Sequence, residues 1–193
     1  MEARQPFSRL GWALFAQMAV MLAAQWGVLL LAGAARPGLL GEPVFLWAAS
    51  VLGAYGLGIP AACLVLRGTA APPAPARRPL GPVRFAALWA GSVGLAYLAN
   101  GATLLLTGLL GRLRGAAVVN PVESIGLYPL PLQLLLAGLI APAAEELLFR
   151  RLLLRRLRPY GERFALVASA LCFGLFHGNL NQFFYAFLLG LVL

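Results

Sequence analysis

In the first 110 residues, three stretches carry no charged residue for more than twenty positions. They are Leu10–Ala35, Val44–Leu66 and Phe85–Leu110. A helix rises 1.5 Å per residue, so roughly 20 apolar residues cross a hydrocarbon core about 30 Å thick. Within that core a helix satisfies its backbone donors and acceptors internally, which makes it the natural spanning form. The composition agrees: 61% of the residues are hydrophobic and only 11% are charged, against roughly 25% charged in a typical soluble domain. The expected fold class is therefore all-α, a polytopic transmembrane helix bundle of about six helices.

The remaining elements follow from punctuation. Pro60 lies inside the second run and is expected to kink it. "RGTAAPPAPARRPLGPVR", residues 67–84, is a Pro-rich linker loop. A mixed loop follows the third run, and Pro131 suits the first turn of a fourth helix reaching about Leu157. A fifth helix is expected from Glu162 to about His177. The last run, "NQFFYAFLLGLVL", ends at Leu193. The first run exceeds the 7–15-residue core of a signal peptide, so it is read as a retained helix. Cys63 and Cys172 fall inside expected spans and are read as inert thiols rather than a disulfide.

All 15 basic residues are Arg, and the net charge is +9. They flank the apolar runs instead of forming one stripe, so they are read as topology signals, with the lipid bilayer as partner and no nucleic acid. Arg4, Arg9, Arg67, Arg77, Arg78 and Arg84 mark one side of the membrane, as do the arginines around Pro159. The alternate loops hold only Arg36, Arg112 and Arg114. Basic loops favour the cytoplasm, which places the N-terminus there.

Two glutamates interrupt the fourth run in "APAAEELLFR", residues 141–150. With regular helical rise, Glu145 lies roughly 18 Å inward from Leu157, and His177 lies roughly 22 Å inward from Glu162 on the next, antiparallel helix. Both depths are near mid-bilayer. A charge there costs roughly 2.5–3.5 kcal/mol on insertion scales, so Glu145, Glu146 and Arg150 are expected to face a protein interior or a wet cavity. Glu146 and Arg150 are i,i+4 and can pair as a structural salt bridge. Glu145 points about 100° away, with Phe149 at its i+4 position; it is either partly protonated or partnered from another helix. Phe173 lies four residues before His177 and can back its ring. Gly174 and Gly178 permit close approach. Asn181 stacks on His177 only if the helix continues through "GN", which is also an ending signal. Packing, turn and salt-bridge roles account for each of these residues singly; their coincidence at one depth is what points to function.

"EELLFR" (Glu145–Arg150) and "FGLFH" (Phe173–His177) together resemble the E-E-x-x-x-R and F-x-x-x-H motifs of the CAAX protease and bacteriocin-processing family. The resemblance covers about residues 130–193, which divides the chain into N-terminal helices (1–129) and a protease-like core (130–193). It implies an intramembrane glutamate-dependent endopeptidase acting on membrane-associated or CAAX-type proteins, including lipidated ones. By carry-over, Glu145 activates water, His177 orients it or shares the proton, and Glu146 with Arg150 fixes the helix. Phe173 and Asn181 are additional candidates. The resemblance implies no cofactor; a zinc site on Glu145, Glu146 and His177 remains an alternative, although catalytic zinc commonly takes several His and this chain has one. The family's third motif, H-x-x-x-N or H-x-x-x-D, has no counterpart. The final apolar run has about 12 residues, short of a span. The expectation is thus an incomplete last helix, a core truncated at its C-terminus, and a 193-residue chain that is inactive alone. The competing readings are a non-catalytic scaffold or immunity-type protein of the same fold, and a proton-coupled transporter. A transporter predicts an inverted repeat, and none is evident. The expected location is a bacterial plasma membrane.

Overall fold

The computed structural model describes residues 4–69, 72–73, 79–116, 118, 125–126 and 128–192, with side chains from residue 7. Arg77, Arg78 and most of the Pro-rich loop, as well as Leu193, lie outside the described residues. Six helices account for the architecture, with no strand among the described residues. They are α1 (Arg4–Ala35), α2 (Pro43–Val65), α3 (Pro82–Arg114), α4 (Leu130–Tyr160), α5 (Glu162–Phe176) and α6 (Leu180–Val192). The first four are long and apolar enough to cross a membrane.

Prolines set most of the boundaries. Arg36 precedes Pro37 and leaves helical geometry at φ −148°, ψ 78°, as the clash with a following proline ring requires. Pro43 and Pro82 open α2 and α3, where a missing N–H costs nothing. At the end of α3, Gly115 turns left-handed at φ 68°, with Arg112 and Arg114 in the last turn, a favourable place for cations.

The expected kink at Pro60 takes another form. Leu52–Gly58 is π-helical, and so is Leu136–Ile140 before Pro142. The residue four before Pro60 is Gly56, and the residue four before Pro142 is Gly138. Each lies in the widened segment. A proline ring collides with the carbonyl four residues back in an α-helix, and a wider turn moves that carbonyl aside. Glu146–Leu154 is also π-helical, without a proline one turn beyond it.

The described chain forms two compact units, and α4 begins in the first and ends in the second. The first comprises residues 1–71 and 126–148. There α1 packs on the widened part of α2. A Cβ on Gly53 would sit 2.9 Å from Gln25 Cγ, and one on Gly58 would sit 3.0 Å from the Gln17 carbonyl oxygen. Helices in lipid associate through such small-residue contacts. Gln25 Nε2 donates to the Ser50 carbonyl at 3.3 Å and hydroxyl at 3.4 Å, joining α1 to α2. Trp47 of α2 stacks on Tyr128, ahead of α4, at 4.6 Å.

The second unit comprises residues 72–125 and 149–193. Here α6 packs on both α5 and α3. Thr103 and Thr107 are buried on α3, and their hydroxyls donate to the carbonyls of Ala99 and Thr103. Asn100 of the same run is exposed. Arg155 Nε donates to the Pro72 carbonyl, so the end of α4 meets the loop after α2. Cys63 and Cys172 are free, half-buried thiols.

Candidate active site

Glu145 is half-buried in the first unit, at the close of the short α-helical stretch Ala141–Glu145. Its partner comes from another helix: the Tyr55 hydroxyl donates to Glu145 Oε1 at 2.6 Å. Of the two sequence alternatives, a partner from another helix is present. Tyr55 is also the residue that sequence reasoning missed. Its signal was faint, a lone phenol within "GAYGLG" of the second apolar run, where a buried hydroxyl must find a partner.

Glu146 is exposed, whereas Arg150 is half-buried. The helix widens from Glu146 onward, with hydrogen bonds reaching five residues back. One turn then takes more than four residues, so the position above Glu146 falls between 150 and 151. The greater number of residues per turn also shortens the advance per residue, which makes Glu145 shallower than a 1.5 Å rise implies.

His177 sits in the second unit at the end of α5, half-buried in an aromatic cluster. Its ring meets Phe173 edge-on at 5.1 Å, Phe176 at 6.4 Å and Tyr185 at 6.2 Å. Phe149 of α4 joins the same cluster, 5.1 Å from Phe173 and 5.4 Å from Phe176. The Ser169 hydroxyl donates to the Phe149 carbonyl at 2.8 Å. The second part of α4 and α5 are therefore neighbours, as the short connection between them implies. His177 Nδ1 lies 2.9 Å from the Phe173 carbonyl oxygen. A carbonyl only accepts, so Nδ1 carries the proton, and in the neutral ring Nε2 presents the lone pair.

The turn after His177 is built by its own residues. Gly178 is left-handed at φ 67°, and α5 ends there. Asn179 caps α6: its Oδ1 accepts from the Gln182 backbone N–H at 2.9 Å, while its Nδ2 donates to Gln182 Oε1 at 2.7 Å and to the His177 carbonyl at 2.9 Å. This is a reciprocal cap with Asn and Gln three residues apart. Gln182 Nε2 then donates to the Tyr185 hydroxyl at 3.1 Å. Asn181 is consequently in the first turn of α6, buried, and not stacked one helical turn beyond His177. Gly174 serves close packing: a Cβ there would meet the Phe183 ring and carbonyl at 3.0 Å. Gly178 has nothing within 4 Å and is needed for its backbone angle alone. Gly178→Val is predicted to cost about 1–2 kcal/mol, measured as a lower unfolding midpoint in detergent; an unchanged midpoint would show that the turn tolerates an L side chain.

Among the described residues, no three His, Cys, Asp or Glu side chains gather closely enough to hold a metal ion.

Four apolar helices long enough to cross a membrane, with no strand among the described residues, define a helical integral membrane protein. Residues 128–193, about a third of the chain, match the family model described as type II CAAX prenyl endopeptidase, Rce1-like. That segment contains both motifs, and the match supports a hydrolase of the protease type. No curated protein and no solved structure matches the chain significantly.

Proposed function

We propose that this protein is an intramembrane endopeptidase that hydrolyses peptide bonds in membrane-associated, CAAX-type proteins, including lipidated ones. The observation that carries the proposal is the presence of E-E-x-x-x-R and F-x-x-x-H inside the segment that matches the protease family. Glu145 accepts a proton from water as the oxygen attacks the scissile carbonyl. The C–O bond forms, the C–N bond breaks, and the proton passes to the leaving amine. His177 accepts a hydrogen bond from that water through Nε2, the nitrogen that its contact with Phe173 leaves as an acceptor. Arg150 and Glu146 set the orientation of the glutamate-bearing helix. No metal is assigned. Stabilising the developing oxyanion requires donors that neither motif supplies. The expected location is a bacterial plasma membrane, and the distribution of arginines supports a cytoplasmic N-terminus.

The test uses the protein reconstituted in proteoliposomes. Peptides ending in a CAAX sequence, with and without a prenyl group, are supplied to it. Cleavage that is lost in His177→Phe is the expected result. No cleavage of either peptide by the wild type would leave the scaffold reading standing instead.

A further inference from the structure

We propose that Tyr55 is a positioning residue for Glu145, lying in the part of the chain that the family match does not reach. The catalytic consequence rests on the peptidase reading; the hydrogen bond itself does not. A glutamate's last torsion is broad and roughly two-fold, so packing on the side-chain stem leaves the plane of the carboxylate undecided. A donor at 2.6 Å on Oε1 decides it. A short O–H···O contact to a carboxylate is also among the stronger hydrogen bonds, more so in a surrounding of low dielectric.

Tyr55 is itself held from behind. It lies in the π-helical stretch Leu52–Gly58. The neighbouring Gly53, Ala54 and Gly58 are buried, and Gly53 and Gly58 are pressed against Gln25, Met21 and Gln17 of α1. The widened turn and the absence of side chains at 53 and 58 let α2 lie directly on α1. The phenol is thereby presented to α4. Trp47, two turns earlier on α2, stacks on Tyr128 just before α4 and braces the same pair of helices. Thus α1 backs α2, and α2 meets the Glu145 carboxylate of α4. This gives α1 and α2 a role in the chemistry beyond spanning the membrane.

Two measurements test the proposal. Infrared difference spectra identify the Glu145 carboxyl band as the one lost in Glu145→Gln, and Tyr55→Phe is expected to shift it. An unshifted band overturns the proposal whatever the protein's activity. In proteoliposomes, Tyr55→Phe keeps the ring and removes only the hydroxyl. It is expected to lower kcat about 10–100-fold, the scale at which small misplacement of a reacting group acts. KM should change less than about two-fold, because binding energy common to ground and transition states is untouched. The unfolding midpoint should match wild type. A wild-type kcat overturns the proposal, as does a loss of activity that only tracks the folded fraction. A wild-type protein that cleaves nothing overturns the peptidase reading, and the infrared band then decides the hydrogen bond alone.

Discussion

Glu145→Gln is expected to abolish peptide cleavage, lowering kcat by about 10²–10⁴-fold, the usual contribution of a positioned general base, while the protein still inserts and folds. The separation of these outcomes follows from the geometry. Glutamine has nearly the shape of glutamate, and its amide oxygen can accept the Tyr55 hydroxyl that donates to Glu145 Oε1 at 2.6 Å. The contact between α2 and α4 therefore survives, and the unfolding midpoint in detergent should stay close to wild type. What disappears is a group able to take a proton from water. Cleavage of a tethered peptide, measured beside thermal unfolding of the same sample, checks both halves. Full activity in Glu145→Gln would sink the general-base assignment and favour a different catalytic group. A collapse of the unfolding midpoint would show that the charge at 145 is structural.

Gly190→Leu is expected to be the most disruptive apolar substitution in the second unit. A Cβ at Gly190 would lie 2.9 Å from both Cα and Cβ of Ala170, and 3.5 Å from the Phe173 ring. The Ala170 Cα belongs to the backbone of α5, so no rotamer change relieves the clash and the helices must separate. Overpacking costs typically about 1–3 kcal/mol, and a leucine adds three further carbons to the Cβ that already collides. Because Phe173 packs against His177 at 5.1 Å, the imidazole is expected to shift as well, so activity should fall along with stability. Gly91→Leu is the control: Gly91 is exposed on α3 and has nothing within 4 Å. Equal unfolding midpoints for the two variants would show that α5 and α6 do not meet at Gly190.

The sequence by itself determined the helices, their ends and the class of protein. Apolar runs longer than a bilayer is thick, Pro at helix starts, Gly with a left-handed turn after α3 and α5, and Asn179 with Gln182 at the start of α6 all act through neighbours within a few residues, so they can be read from a single line of text. The two motifs were legible in the same way, as was the adjacency of the second part of α4 to α5, because a short connection leaves antiparallel helices little choice. Tertiary structure decided the rest. Whether a proline kinks its helix or widens the preceding turn depends on what packs there; small residues at 53 and 58 let α1 close onto a widened α2. That widening also undid the regular angular step used to orient Glu146, which is exposed, and it recurs from Glu146 to Leu154 with no proline to announce it. The partner of Glu145 is ninety residues away along the chain. Periodicity and capping are properties of one helix, whereas the meeting of Tyr55 with Glu145 depends on how separate helices pack, and no local pattern records that.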